Sequence, residues 1–124
     1  MRKILFISLV FSLFSLAFAQ TAIPLPTGFP NATNLGCTPI GDFDGDGSVD
    51  LYVGCTDYTG SSVVIMGVYS VKKGQYLFVE SKPNIAGNQY TNMIFGDFNG
   101  DGKNEIIVSN ILYSYSGTMS KKKA

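Results

Sequence analysis

Two short stretches of this chain alternate carboxylates with glycine. In the first, Asp42, Asp44, Asp46 and Asp50 occupy positions one, three, five and nine, with Gly47 at position six and Ser48 at seven. The second repeats the order as Asp97, Asn99, Asp101, Gly102, Lys103 and Glu105. Alternate side-chain oxygens on a tight loop can turn toward one point, and glycine permits the reversal that brings a backbone carbonyl (that of Ser48 or Lys103) to the same point. Such a set of hard oxygens suits calcium, which takes about six to eight of them in a flexible shell, better than magnesium with its strict octahedron. Asp and Gly also dominate ordinary turns. A turn needs one or two such residues, however, and four alternating acids without a cation would repel one another at close range.

The loops resemble the start of an EF-hand but fail it at position twelve, where an acid is required. Val53 and Val108 stand there, each inside an apolar, β-branched run. A dockerin-type loop is excluded by the same lead-out, which reads as strand where that loop needs a helix. The loops belong to an internal repeat. Gly41 to Gly54 recurs 55 residues later as Gly96 to Ser109, with seven of fourteen positions identical.

The elements that hold the loops are strands. Short apolar segments lead in (Ile40; Met93, Ile94, Phe95) and out (Leu51, Tyr52, Val53; Ile106, Ile107, Val108). Between the copies, residues 62–71 and 75–79 are rich in β-branched and aromatic side chains, and Lys72-Lys73-Gly74 separates them as a hairpin turn. No stretch of the mature chain spaces its apolar residues as a helix would. One repeat is thus four strands, and the second ends near where its own hairpin should begin, between Ser116 and Ala124. Phe43 and Phe98, at position two of each loop, are expected to pack in the core or between strands. Tyr113 and Tyr115 are expected on a strand surface. If Gly41 faces Leu51 across the first loop, counting back four residues on each strand sets Cys37 against Cys55, within disulfide range. The equivalent pair in the second copy is Asn92 and Asn110.

Composition sets the compartment. Met1-Arg2-Lys3, an apolar run from Ile4 to Phe18 and the small-x-small site Ala17-Phe18-Ala19 read as a signal peptide over residues 1–19, too short to serve as a bilayer span. The remainder is expected to be secreted, where two cysteines would pair. Asn31-Ala32-Thr33 is a glycosylation sequon on Asn31. Residues 20–36 form a proline-rich, extended and poorly packed lead-in, followed by repeats over 37–89 and 90–120 and a basic tail at 121–124. Between Gln20 and Ser120, four lysines oppose nine acids, a net charge of −5, and seven of those acids lie in the two loops. This is local negative charge, as a cation site needs, and it offers no basic face to nucleic acid. With no histidine and nearly every acid committed to a loop, the chain is not expected to be an enzyme.

In Gly41-Asp-Phe-Asp-Gly-Asp-Gly-x-x-Asp-Leu-x-Val and its echo from Gly96, the sequence resembles the FG-GAP repeat family and the related VCBS-type repeats of integrin α-subunits and many secreted proteins. The resemblance spans residues 37 to 116. It implies an all-β fold of antiparallel four-stranded propeller blades, with calcium held between a blade's first two strands. Carried over position by position, the ligands of two calcium sites are Asp42, Asp44, Asp46, Ser48 and Asp50, then Asp97, Asn99, Asp101, Lys103 and Glu105. Propellers close with about four to eight blades, so one full and one partial repeat imply an incomplete propeller: a truncated gene, a remnant, or a piece completed by assembly with copies of itself or a partner through open blade edges. The function implied is a calcium-stabilised binding or adhesion module for an extracellular protein or glycan. The alternative is a structural fragment of a longer propeller, or an accessory domain of a secreted carbohydrate-active protein.

Overall fold

The structure is a computed structural model that describes residues 22–58, 63–83 and 93–123. The signal-peptide reading of residues 1–19 lies outside them. The described chain is all β, as its β-branched and aromatic runs dictate, and forms eight strands in two antiparallel sheets of four. The first sheet runs in order from β1 (Ala32–Gly41) through β2 (Asp50–Asp57) and β3 (Val63–Ser70) to β4 (Gln75–Pro83). The second runs from β5 (Met93–Gly96) through β6 (Glu105–Val108) and β7 (Ile111–Tyr115) to β8 (Met119–Lys123). No described helix is long and apolar enough to cross a membrane.

Side chains alternate across a strand, so each sheet has two faces. From the first sheet Ile40, Tyr52, Met66 and Val68, with Phe43 from the loop, meet Ile106, Val108 and Tyr113 of the second in one buried cluster. In the first repeat Tyr52 faces this interface. Its counterpart 55 residues on is Ile107, and there the inward residues are its neighbours Ile106 and Val108. The sheets therefore stack front to back, in the same sense. Phe78 and Tyr113 lie parallel across the junction with centroids 5.7 Å apart. Lys121 Nζ closes one side of it on Glu80 Oε2 at 2.7 Å.

Four expectations change. The second repeat is a complete four-stranded sheet: Gly117, with φ of 87°, turns the chain so that β8 returns along β7. Lys121, Lys122 and Lys123 accordingly lie in an edge strand, not a tail, and charge on an edge discourages further strand pairing. Tyr113 is core, not surface, with 0% exposure. The proline-rich lead-in is packed: Pro26 is buried, the Tyr76 hydroxyl donates to the Pro24 carbonyl at 2.9 Å, and Phe29 sits on Ala32, Cys55 and Ile65. It covers the outer face that the first sheet turns away from the second.

The fourth change is register. Gly41 faces Asp50, not Leu51, and the ladder shifts again between Pro39 and Gly41, so Cys37 faces Val53. Both cysteines are free thiols, Cys37 exposed and Cys55 buried, and the disulfide expected between them is not formed. The cause is local. Ile40 is drawn fully into the core, and its carbonyl accepts a hydrogen bond from the Asn104 amide of the other repeat at 2.7 Å. Asn110, expected opposite Asn92, is instead in the β6–β7 turn with φ of 63°; Asn92 is outside the described residues.

Candidate metal centre

Each acidic loop joins the first two strands of its sheet, and its own side chains set its path. In the first, Asp42 Oδ1 accepts from the amides of Gly45 and Asp46 at 2.7 and 3.0 Å, and Oδ2 accepts from Gly47 at 2.9 Å. Asp44 Oδ1 takes the Asp46 amide at 3.1 Å, and Asp46 Oδ1 takes that of Ser48 at 2.9 Å. The Asp44 and Asp46 bonds are successive Asx turns, and Asp42 gathers the amides further along; such local bonding favours Asp and Asn in these positions. The second loop reproduces them. Asp97 takes the amides of Gly100, Asp101 and Gly102 at 2.7, 3.1 and 2.8 Å, Asn99 Oδ1 that of Asp101 at 2.8 Å, and Asp101 Oδ1 that of Lys103 at 2.9 Å. The amides hold the exposed Asp97 carboxyl below the ordinary range, Gly102 contributing most. Glycine is required where the path turns left-handed: Gly45 and Gly47, then Gly100 and Gly102, all have φ near 80°.

At position nine, Asp50 Oδ2 and Glu105 Oε2 each accept the amide of the position-two phenylalanine at 2.9 Å. The longer Glu side chain thus reaches the point that Asp reaches in the first loop. Both acids are buried, Asp50 at 0% and Glu105 at 2% exposure.

The structure brings one oxygen each from Asp42, Asp44 and Asp50 within 4.8 Å of one another, and likewise from Asp97, Asp101 and Glu105. Either group could hold a metal ion. Asp46 stands outside the first group, although its Oδ2 is buried with no hydrogen bond. Ser48 and Lys103 enter the bonding described above through their amides.

The loops differ in how far they satisfy themselves. Asn99 donates to Glu105 Oε1 at 2.7 Å, so both oxygens of that buried carboxylate are occupied. Its counterpart Asp44 has no proton to give, and Asp50 Oδ1 is left buried without a hydrogen bond. Burial raises the Asp50 carboxyl above the usual range; the Phe43 amide opposes this and the Asp44 charge adds to it, while the hydroxyl of Ser70, its cross-strand neighbour, and the Asp44 amide act to lower it. A buried carboxylate oxygen without a hydrogen bond is costly, and a cation between Asp42, Asp44 and Asp50 would fit there.

Two features were not apparent from the repeat pattern. Lys73 and Lys72, from the β3–β4 turn, reach the first loop: Lys73 Nζ lies 2.6 Å from Asp44 Oδ2, and Lys72 Nζ 2.5 Å from the Asp46 carbonyl. Asp44 in return holds the Lys73 ammonium above its ordinary pKa. Asn104 is the other, and it was visible as a difference: the first copy has Val49 there, 53% exposed. Of the aromatic pair, Phe43 is core as expected, while Phe98 is 49% exposed, because the packing that encloses Phe43 is the inter-sheet junction and Phe98 lies off it.

No curated protein and no solved structure matches the chain. The family model of the FG-GAP-like repeat matches residues 42–108, from the first acid of the first loop to the end of β6. That match covers more than half of the chain and includes both loops, so the protein belongs to the FG-GAP-like repeat family.

Proposed function

We propose that this protein is an extracellular calcium-binding repeat module in which calcium is structural. One observation carries the reading: Asp50, fully buried, leaves Oδ1 without a hydrogen bond beside Asp42 and Asp44. Asp42, Asp44, Asp46, Asp50 and the Ser48 carbonyl would hold one ion; Asp97, Asn99, Asp101, Glu105 and the Lys103 carbonyl would hold a second. The bound ion neutralises the carboxylates and fixes the loop; it performs no turnover. Extracellular modules of this kind bind calcium at about 10⁻⁴–10⁻³ M, an affinity at which the sites are constitutively filled outside the cell. Secretion is supported by the leader pattern of residues 1–19 and by the extracellular setting typical of FG-GAP repeats. In this reading the front-to-back sheets are two consecutive blades of a propeller. The surface they build binds an extracellular protein or glycan.

A second reading has its own observation. Lys73 on Asp44 supplies a tethered positive charge, and the Asx turns complete much of the loop bonding, so the loops could be self-sufficient turns in a purely structural piece. Calorimetry separates the two. Calcium titrated into the protein should release or absorb heat that is lost in the variant carrying Asp44→Ala and Asn99→Ala. Equal heats from both proteins would leave only the turn reading.

A further inference from the structure

The two loops touch. Asn104, between Lys103 and Glu105 of the second loop, donates its side-chain amide to the Ile40 carbonyl at 2.7 Å and its backbone N–H to the Asp42 carbonyl at 2.7 Å. Asp42 opens the first loop. The fit is steric as well as polar. Gly41, at φ of 75°, has the Asn104 amide against the space a Cβ would fill, and a Cβ on Gly45 would lie 2.6 Å from Lys103 Cε. The equivalent Gly100 has nothing near it, and Gly96 meets only the ring of Phe98 within its own loop. Docking thus runs one way, from the end of the second loop onto the start of the first.

From this we infer that Asn104 couples the two cation sites, so that filling one loop raises the affinity of the other; the inference rests on the calcium reading above. An ion in the second loop fixes the backbone on both sides of Asn104, and Asn104 fixes Ile40 and Asp42. The first loop then has less freedom to lose when its own ion enters. Two sites that share an ordering cost bind cooperatively even without a change of shape. Asn104 is a positioning residue here, since it is not itself among the ligands.

The test measures calcium affinity at the first loop by calorimetry in four proteins: the natural sequence, the double variant Asp97→Asn with Asp101→Asn, the single variant Asn104→Ala, and all three changes together. Emptying the second loop should weaken the first about fivefold or more, and that loss should be clearly smaller when Asn104 is already alanine. Asn104→Ala keeps the backbone N–H to Asp42, and circular dichroism checks that each protein is folded. If Asn104→Ala fails to fold, the reciprocal measurement replaces it: Asp42→Asn with Asp44→Asn must weaken the second loop by the same factor, as linkage requires. A first-loop affinity indifferent to the state of the second overturns the coupling while leaving calcium binding intact. No binding heat in the natural protein overturns both.

Discussion

Phe43 and Phe98 occupy the same position of the two loops, and their amides make the same hydrogen bond at 2.9 Å. Only their rings differ in surroundings. Phe43 is 0% exposed, with Phe78 and Tyr115 at centroid distances of 6.0 and 6.2 Å; Phe98 is 49% exposed. Replacing Phe43 by alanine removes a whole buried ring and leaves a cavity between the sheets, a loss of about 3–5 kcal/mol. Replacing Phe98 forfeits roughly half the burial of one side chain and leaves no cavity, about 1 kcal/mol. The gap of about 2–4 kcal/mol exceeds the error of a urea titration read by linear extrapolation. In thermal terms the lower figure for Phe43→Ala is a fall of about 12–24 °C in Tm, at about 4–8 °C per kcal/mol for a domain near 100 residues. Both variants should be measured with and without chelator, so that any change in cation binding is separated from the loss of packing. Phe43→Leu, which keeps much of the apolar volume, covers the case in which the alanine variant does not fold. Equal losses from Phe43→Ala and Phe98→Ala would refute the front-to-back stacking of the sheets, because only that junction distinguishes the two sites.

Asp50→Asn should be neutral or mildly stabilising in chelator, since it removes a buried charge with an unpaired oxygen, and should abolish the gain that calcium gives its site, about 2.7 kcal/mol at a hundredfold excess over Kd; urea midpoints with and without calcium check both signs. Burial pushes Tyr76 up to about 12 from an ordinary value near 10. The folded state therefore keeps its proton after the unfolded state has lost it, and stability present below pH 10 should decline from there toward pH 12, read as Tm against pH with phenolate absorbance alongside. Exposed Cys37 should react with a thiol reagent in the native protein and buried Cys55 only after unfolding, giving one label and then two; no labelling before reduction would restore the disulfide.

Much of the site was legible in the sequence because it is local. The bonds that Asp42, Asp44 and Asp46 accept in the first loop reach no more than five positions along the chain, and the residues that make them are the ones that repeat. The strands were legible for the same reason, being carried by β-branched runs. What escaped depends on contacts between repeats. The expected register assumed a hairpin closing on itself, whereas Ile40 gives its carbonyl to Asn104, 64 residues away. Lys121 to Lys123 read as a tail because three charges in a row suggest solvent, yet the Ser116-Gly117-Thr118 turn returns them to β7, where Lys121 reaches Glu80 of the other sheet.

Repetition itself was the source of the remaining errors. Two copies of one motif, stacked front to back, cannot have the same neighbours, since the junction takes the front of one and the back of the other. Phe43 is enclosed where Phe98 is half bare, and Val49 is bare where Asn104 is docked. Differences between the copies are therefore where contacts between them should be sought. The Asp44 and Asn99 pair extends the same logic inside the loop. Asn99 has a side-chain N–H to donate to Glu105, while the Asp44 side chain has none and leaves Asp50 Oδ1 without a hydrogen bond. By that difference the first loop has more to gain from a divalent ion than the second, and its hold on the ion should be the stronger of the two.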